Sequence, residues 1–270
     1  MRPDASPSGL KFKSNNIENL LSVESRWQSW LDVEASMARS QSELKMIPRK
    51  VGNKIAKNCN LKKLNLKNIY RDLKITGHKL VPLIWELSRV CDKDSKKYVH
   101  WGGTTQNIVS NGDILILRKI HKIFLNDLSD LLKILSKLSL KTKNDLMAGR
   151  THGQHALPIT FGYKVACWID EISRHIDRIK ESEPRVFKCI FGGAVGTSAS
   201  FGKYGNKLQK KISIKLGLNS SRIPTRSHLD HFAEYNLNII MLATTFGKIA
   251  QEIYNLMKNE ISELEEPITS

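Results

Sequence analysis

The sequence predicts an all-α protein in which a small helical N-terminal domain is followed by part of a long-helix bundle. Three observations support this fold class. Three long stretches repeat apolar residues at helical spacing, strand-type alternation is weak elsewhere, and hydrophobic residues make up 40% of the 270 residues. A chain of this length and composition can bury a sizeable core and is not intrinsically disordered.

The elements are predicted in the following order along the chain. Residues 1–15 form a flexible tail, and residues 16–95 form the helical N-terminal domain. Within that domain, apolar patterns at residues 30–44 and 80–90 are separated by a lysine-rich polar stretch at residues 50–67. Residues 96–270 then form the central long-helix bundle, which is incomplete.

The first long helix is predicted at residues 112–140, where two seven-residue series run side by side: Leu117, Phe124, Leu131 and Leu138, and Ile114, His121, Leu128 and Leu135. At about 1.5 Å per residue, this stretch makes a rod of about 40 Å that needs packing partners along its length. A second helix is predicted at residues 159–180, closed by Pro184, and a third at residues 235–260. His121 and His175 lie on apolar seams and are interpreted as core or interface histidines.

The charge balance points to an anionic partner. Lysine and arginine outnumber aspartate and glutamate by 43 to 26, a net charge of +17, so nucleic acid, acidic membrane and a phosphate or carboxylate substrate are all candidates. The four cysteines are far apart and no histidines have metal-ligand spacing, so neither a disulfide, a metal nor a cofactor is predicted. The start lacks a secretory signal, and the longest uncharged stretch is too short to cross a bilayer, so we expect a cytoplasmic protein.

Three short polar segments combine glycine with hydroxyl, amide or imidazole groups, at residues 100–107, 149–155 and 191–197. Each precedes or joins long helices, whose first N–H groups can bind carboxylate or phosphate. His100 and His152 lie in these segments and can exchange protons near neutral pH. Thr104, Thr105 and Thr197 taken singly are explained equally well as helix caps or turn residues. The residues by themselves therefore predict a helical bundle with an anion site that contains histidine.

Taken in order, the three segments with their long helical spacers resemble the aspartase/fumarase superfamily, especially the branch of adenylosuccinate lyase and 3-carboxy-cis,cis-muconate cycloisomerase. The run W-L-D-V-E-A at residues 30–35, followed by Ile47 and Pro48, is similar to the N-terminal helix of that family. The resemblance implies a helical subunit that forms a homotetramer through its long helices. It also implies that segments of three subunits build each active site.

The resemblance implies an anti β-elimination that breaks a C–N bond in a small, anionic, succinyl-bearing substrate and releases fumarate. His152 matches the general acid of the family, and His100 matches a histidine that opens the first block. His78 lies in a segment similar to T-x-H-D, whose histidine assists near the leaving group. The residues that match substrate-binding positions are Thr104, Thr105, Gln106, Thr151 and Gln154.

The alternative enzyme is a cycloisomerase, because His100-Trp101-Gly102 and the run at residues 191–200 look more like that subfamily. Bacterial cycloisomerases, however, have a non-histidine residue at the position of His152, which favours a lyase of adenylosuccinate lyase type. Other departures leave the exact substrate open. Lys79 replaces the aspartate of T-x-H-D, Asn107 replaces an acidic residue, and His228-Leu229-Asp230 stands where the family has Q-R-D.

The serine base of the family lies on a loop of the form G-S-S-x-M-P-x-K-x-N-P, which should follow Glu265-Glu266-Pro267. The sequence ends at Ser270 without a match, so it predicts an acid without a base in a chain cut before that loop. A second hypothesis is therefore a truncated, catalytically silent relative that associates with other helical subunits. A nucleic-acid binder is disfavoured because the basic residues are scattered without interleaved aromatics. We also expect poor solution behaviour, because missing partner helices expose apolar seams.

Overall fold

The structure is a computed structural model that describes residues 17–265, so the tail predicted at residues 1–15 lies outside the described residues. The chain divides into two compact units. Unit 1 contains the chain up to Ile123 together with Phe187–Leu229, and unit 2 contains Phe124–Val186 together with the chain from Asp230 onward. The domain boundary placed near residue 95 stays a prediction.

The described residues form nine α-helices and four short strands. In chain order these are α1 (Ile17–Leu20), α2 (Val23–Glu43), α3 (Arg49–Asn58), α4 (Leu66–Thr76), α5 (Val81–Val90), α6 (Thr105–Lys141), β1 (Leu146–Thr151), β2 (Gln154–Thr160), α7 (Phe161–Val186), β3 (Lys188–Cys189), α8 (Gly205–Leu216), β4 (Asn219–Ser220) and α9 (Asp230–Leu256). The all-α class is confirmed, because the strands form only an antiparallel β1–β2 hairpin and a two-residue parallel pair, β3–β4.

In unit 1, helix α2 provides the central packing surface. Ser22 caps its N-terminus by accepting a hydrogen bond from the Ser25 N–H at 3.2 Å. Helix α3 packs closely on α2, because a Cβ at Gly52 would lie 2.5 Å from the Ala38 carbonyl oxygen. The lysine-rich stretch at residues 50–67 does more than separate two apolar segments. Much of it is an amphipathic helix, α3, that buries Val51 and Ile55.

In unit 2, helices α7 and α9 pack with the later part of α6. Their shared core contains Leu128, Ile172, Ile176, Ile179 and Leu242. His175 is buried there and its Nε2 lies 2.9 Å from the Thr245 hydroxyl, which confirms its interpretation as a core histidine. In unit 1, His121 is also buried, with its ring edge against Phe187.

The three long helices predicted from the sequence are present, with different ends. The helix of residues 112–140 lies inside the longer α6, and α9 ends at Leu256, so Glu260 falls outside it. Pro184 does not close the second helix, because α7 continues to Val186. A proline in the last turn of a helix removes few of its hydrogen bonds, which is why the helix tolerates it.

The β1–β2 hairpin was not anticipated from the sequence, and it contains the whole second polar segment, residues 149–155. Its register pairs Thr151 with Gln154 and Arg150 with His155. Separately, no helix among residues 17–265 combines the length and apolar character needed to cross a bilayer.

Candidate active site

The first polar segment, in unit 1, places His100 against a buried carboxylate. The Nδ1 atom of His100 lies 2.5 Å from Oε1 of Glu34, which is on α2 and is fully buried. His100 has a left-handed backbone conformation, with φ of 57°. Few residues other than glycine adopt this conformation, so the backbone at His100 is strained where it holds the ring beside Glu34.

The contact with Glu34 favours the charged form of His100. Burial of the ring acts to lower the pKa of His100, but the charge of Glu34 and its hydrogen bond outweigh that effect. The pKa of His100 therefore lies above its ordinary value. Within the described residues, the second oxygen of Glu34, Oε2, is buried without a hydrogen-bond partner, so His100 is the group that compensates this carboxylate.

The start of α6 follows directly on this histidine. The Thr104 carbonyl accepts hydrogen bonds from the N–H groups of Asn107 and Ile108, which begins the helix. The Thr104 and Thr105 side chains are partly exposed, and within residues 17–265 their hydroxyls make no hydrogen bond. The Gln106 amide instead donates to the Ser110 hydroxyl at 2.6 Å. Two free hydroxyls and the first N–H groups of a 37-residue helix thus form a set of donors suited to an anion.

The third polar segment is fastened to the first by two buried asparagines of α6. Asn107 Oδ1 accepts from the Gly193 N–H at 2.8 Å. The Asn111 side chain accepts from the Ile190 N–H at 3.0 Å and donates to the Ile190 carbonyl at 2.7 Å. Asn107 also donates from Nδ2 to the Ile190 carbonyl at 3.3 Å. This residue departs from the acidic family pattern, and a carboxylate here could make only the accepting bond because it has no N–H donor.

A direct contact also joins the first segment to Ser200, which lies just after the third segment. The Ser200 hydroxyl donates to the Gly102 carbonyl at 2.9 Å. Gly102 has φ of 71°, and a Cβ there would lie 2.6 Å from the Phe201 ring. The glycine is required at this position both for its backbone conformation and for the space it leaves.

His78, the third histidine matched to the site, has a local structural task. Its Nδ1 accepts hydrogen bonds from the N–H groups of Leu80 and Val81 at 3.2 and 3.1 Å, at the start of α5. An Nδ1 that accepts leaves the ring proton on Nε2. His78 therefore has one nitrogen occupied by the helix start and one that faces no described hydrogen-bond partner.

The second polar segment lies in unit 2, at the tip of the β1–β2 hairpin. His152 and Gly153 are the two turn residues, with φ of 52° and 74°. Positive φ at both central positions is the mark of a type I′ turn, the two-residue turn whose twist suits a hairpin. The side chains of Thr151, His152 and Gln154 are all exposed. The turn thus presents an imidazole, a hydroxyl and an amide together at the end of a short, regular scaffold.

The hairpin is anchored by an ion pair. Arg150 contacts Glu263 through two hydrogen bonds, Nη1 to Oε2 at 2.7 Å and Nη2 to Oε1 at 2.8 Å. The Arg150 hydrogen bond is the main cause that holds the pKa of Glu263 below its ordinary value. The segment that follows α9 is therefore tied to the strand that leads into His152.

The structure groups the sequence-predicted residues into two sets. His78, His100, Thr104, Thr105 and Gln106 lie in unit 1, with the third segment fastened beside the first. Thr151, His152 and Gln154 lie in unit 2. Sequence reasoning missed Glu34, Asn111 and Glu263. For Glu34 a signal existed, because Trp27, Glu34 and Gln41 share a seven-residue spacing on the buried face of α2.

A mostly helical chain, with one polar segment at the start of α6 and another at the β1–β2 turn, fits the class that the sequence resembles: lyases of the fumarase/aspartase type. The family model described as "Lyase" matches residues 16–270. The chain belongs to this lyase family, within the aspartase/fumarase superfamily.

Two curated relatives are similar over nearly the whole chain. The N-acetyl-S-(2-succino)cysteine lyase of Dickeya dadantii is 37% identical over 97% of this chain and 57% of its own length. The adenylosuccinate lyase of Pyrococcus abyssi is 36% identical over 97% of this chain and 58% of its own. Among solved structures, a fumarate lyase from Mesorhizobium sp. BNC1 superposes with a TM-score of 0.89 and 33% identity, covering 94% of this chain and 60% of the other. The chain thus spans a little over half the length of these curated relatives.

Proposed function

We propose that the chain provides the proton donor and part of the anion site of a lyase that eliminates across a succinyl group and releases fumarate. One observation carries the proposal. Thr104 and Thr105 keep free hydroxyls at the start of α6, in the same segment as His100, whose pKa is raised beside Glu34. Hydroxyl donors beside an imidazolium suit a carboxylate of a succinyl group, and later the charge that builds on that carboxylate in the transition state.

We assign the acid role to His152. An exposed imidazole in a type I′ turn is held by the hairpin and stays accessible to a substrate. In this role it protonates the leaving atom, while Thr151 and Gln154 offer a hydroxyl and an amide to the substrate beside it. His78 contributes through its free Nε2, near the leaving group.

We place the base on the family's serine loop. No part of the 270 residues corresponds to that loop. Elimination needs both proton transfers, so residues 1–270 would then bind substrate and donate a proton but not complete the reaction by themselves. We further propose a homotetramer in the working enzyme, with each site built from several subunits. If no such loop completes it, the chain is the catalytically silent relative.

The leaving atom is open between nitrogen and sulfur. The two relatives above, one named for adenylosuccinate and one for a succinylated cysteine, are almost equally identical to this chain. His228 and Leu229 replace the glutamine and arginine of the Q-R-D segment, which removes a guanidinium that would bind an anionic group. This loss favours a succinyl compound with fewer anionic groups, so a succinylated thiol is the second candidate substrate. A cycloisomerase is less favoured because His152 is present.

The test measures fumarate release by NMR from adenylosuccinate and from N-acetyl-S-(2-succino)cysteine. The protein is the chain together with any product encoded downstream of residue 270. We expect fumarate from at least one substrate and expect His152→Ala to lower kcat by about 10²- to 10⁴-fold, the usual contribution of a general acid. His155→Ala is the matched control on the same hairpin and should stay within about twofold of the parent, because we assign no proton transfer to His155.

Two results would contradict the proposal. If His152→Ala and His155→Ala reduced kcat equally, the acid assignment would be wrong. If the protein with its serine loop released fumarate from neither compound, the substrate class would be wrong.

A further inference from the structure

The Glu34–His100 pair has an arrangement that a purely structural ion pair does not need. Glu34 is fully buried, so its charge carries a desolvation cost that only a close partner can offset. Its Oε2 makes no hydrogen bond with a described residue. The amide of Gln41, one heptad further along α2, donates instead to the Trp101 carbonyl at 2.7 Å. A glutamine or an apolar residue would be easier to bury at this position. The carboxylate is therefore kept at a cost in stability.

The pair also fixes which part of the ring is available. Nδ1 is occupied by Glu34, and the turn at Gly103 closes on the same edge, because a Cβ there would lie 3.3 Å from both Nδ1 and Cε1 of His100. Met37 lies at the same distance from that point. Nε2 is separated from Nδ1 by Cε1, makes no hydrogen bond within residues 17–265, and belongs to a side chain that remains 22% exposed. The nitrogen left for a ligand is thus Nε2, which carries a proton when the ring is charged.

We propose that Glu34 is a positioning residue that keeps His100 as an imidazolium with its Nε2–H directed to a carboxylate of the substrate. The identity of the anion rests on the proposed function. The pairing of Glu34 with His100 does not depend on it. Glu34 acts through His100 and does not touch the substrate. Among the described residues, Glu34 is the charged group that acts on His100, and Met37 and Gln41 beside it on α2 are neutral.

The test follows the titration of His100 by NMR in the full chain labelled at its eight histidines, with the His100 signal assigned by its loss in His100→Gln. In the wild type the pKa should lie above the ordinary 6.5. In Glu34→Gln it should fall below 6.5, because burial then acts without the carboxylate. Asp32→Asn is the matched control: it removes a carboxylate from the same helix that bonds to Gln28 instead, and should leave His100 unchanged.

Stability provides a second readout of the pairing between Glu34 and His100. A histidine with a raised folded pKa stabilises fully below its unfolded pKa, and that stability is lost as pH rises through the folded pKa. The wild-type unfolding free energy should therefore fall as the pH rises above 6.5, and Glu34→Gln should lack this fall. A wild-type pKa of His100 below 6.5 would overturn the proposal even if the variant failed to fold.

Succinate and inorganic phosphate serve as separate probes of the anion. We expect succinate to raise the pKa of His100 further in the wild type, with about tenfold weaker binding to Glu34→Gln at neutral pH because a charge-assisted hydrogen bond is lost. A rise with phosphate alone, or with neither probe, would overturn the carboxylate assignment. The outcome is independent of fumarate release, so an absence of turnover would count against the proposed function and leave this inference standing.

Discussion

Single residues in left-handed backbone conformations mark both candidate segments. His100 and His152 have φ of 57° and 52°, although neither is a glycine. Each such residue costs about 1 to 2 kcal/mol relative to the usual conformations. In both cases the strained residue is the imidazole assigned to chemistry, and each is followed closely by a glycine with positive φ, Gly102 or Gly153. Three other non-glycine residues among residues 17–265 share this conformation, so the strain by itself does not identify the site.

A substitution at Gly102, compared with one at Gly77, separates the cost of a left-handed backbone from the cost of a steric contact in the first segment. An alanine at Gly102 would suffer from its φ of 71° and also from a contact of 2.6 Å with Phe201, whereas an alanine at Gly77 would suffer only from its φ of 58°. We expect Gly77→Ala to cost about 1 kcal/mol of unfolding free energy. Gly102→Ala should cost about 1 to 3 kcal/mol more, because Phe201 must move. Urea unfolding monitored by circular dichroism measures the unfolding free energies of both variants. Equal costs would show that the Phe201 ring moves aside without a measurable penalty.

The elements that position these residues differ in how far the sequence predicts them. The long helices could be predicted because their apolar seams repeat over many turns, as in Ile172, Ile176 and Ile179 of α7. The hairpin could not, because β2 is mostly exposed and therefore lacks a clear apolar face, and Pro158 argues against a strand. The turn itself carried a usable signal, since a residue followed by glycine at the middle of T-H-G-Q is typical of a two-residue hairpin turn.

The anchor between Arg150 and Glu263 should decide how firmly the hairpin is held. Glu263→Gln removes the charge but keeps the shape, so we expect amide hydrogen exchange at residues 146–160 to accelerate by about tenfold, the equivalent of one charge-assisted hydrogen bond. Glu260→Gln is the control, because Glu260 is exposed and close in sequence. The pKa of Glu263 lies below its ordinary 4.5, so its contribution is present above that pH and is lost as pH falls through the folded pKa. Equal exchange in both variants would refute the anchor.

The site as a whole was only partly accessible to sequence reasoning. The histidines and threonines could be found because short polar segments with glycine stand out between long helices. The partners that set their chemistry could not, because Glu34 meets His100 across 66 positions and Glu263 meets Arg150 across 113. Contacts of that separation depend on the packing of α2 and on the path of the chain after α9, which no local pattern reports. Asn107 shows the same limit, since its role depends on Gly193.

For the whole molecule, exposed apolar surface in unit 2 predicts self-association. Leu237, Ile240 and Met241 lie on one face of α9 and are 59%, 58% and 41% exposed, while Leu146 and Leu157 of the hairpin are about four-fifths exposed. Apolar residues grouped along one helix face normally contact another chain, and the net charge of +17 opposes that association most strongly at low salt. We therefore expect light scattering at moderate salt to give a mass above the 30.7 kDa of one chain.

Two variants decide whether this face of α9 is responsible. Ile240→Glu places a charge in the middle of the face and should shift the mass toward 30.7 kDa, because burying an unpaired carboxylate in an interface is costly. Ile214→Glu is the control: Ile214 is 68% exposed on α8, which belongs to unit 1, so the same substitution should leave the mass unchanged. A wild-type chain that is a monodisperse monomer would refute the prediction. Equal effects of the two variants would mean that added negative charge, and not the α9 face, controls the association.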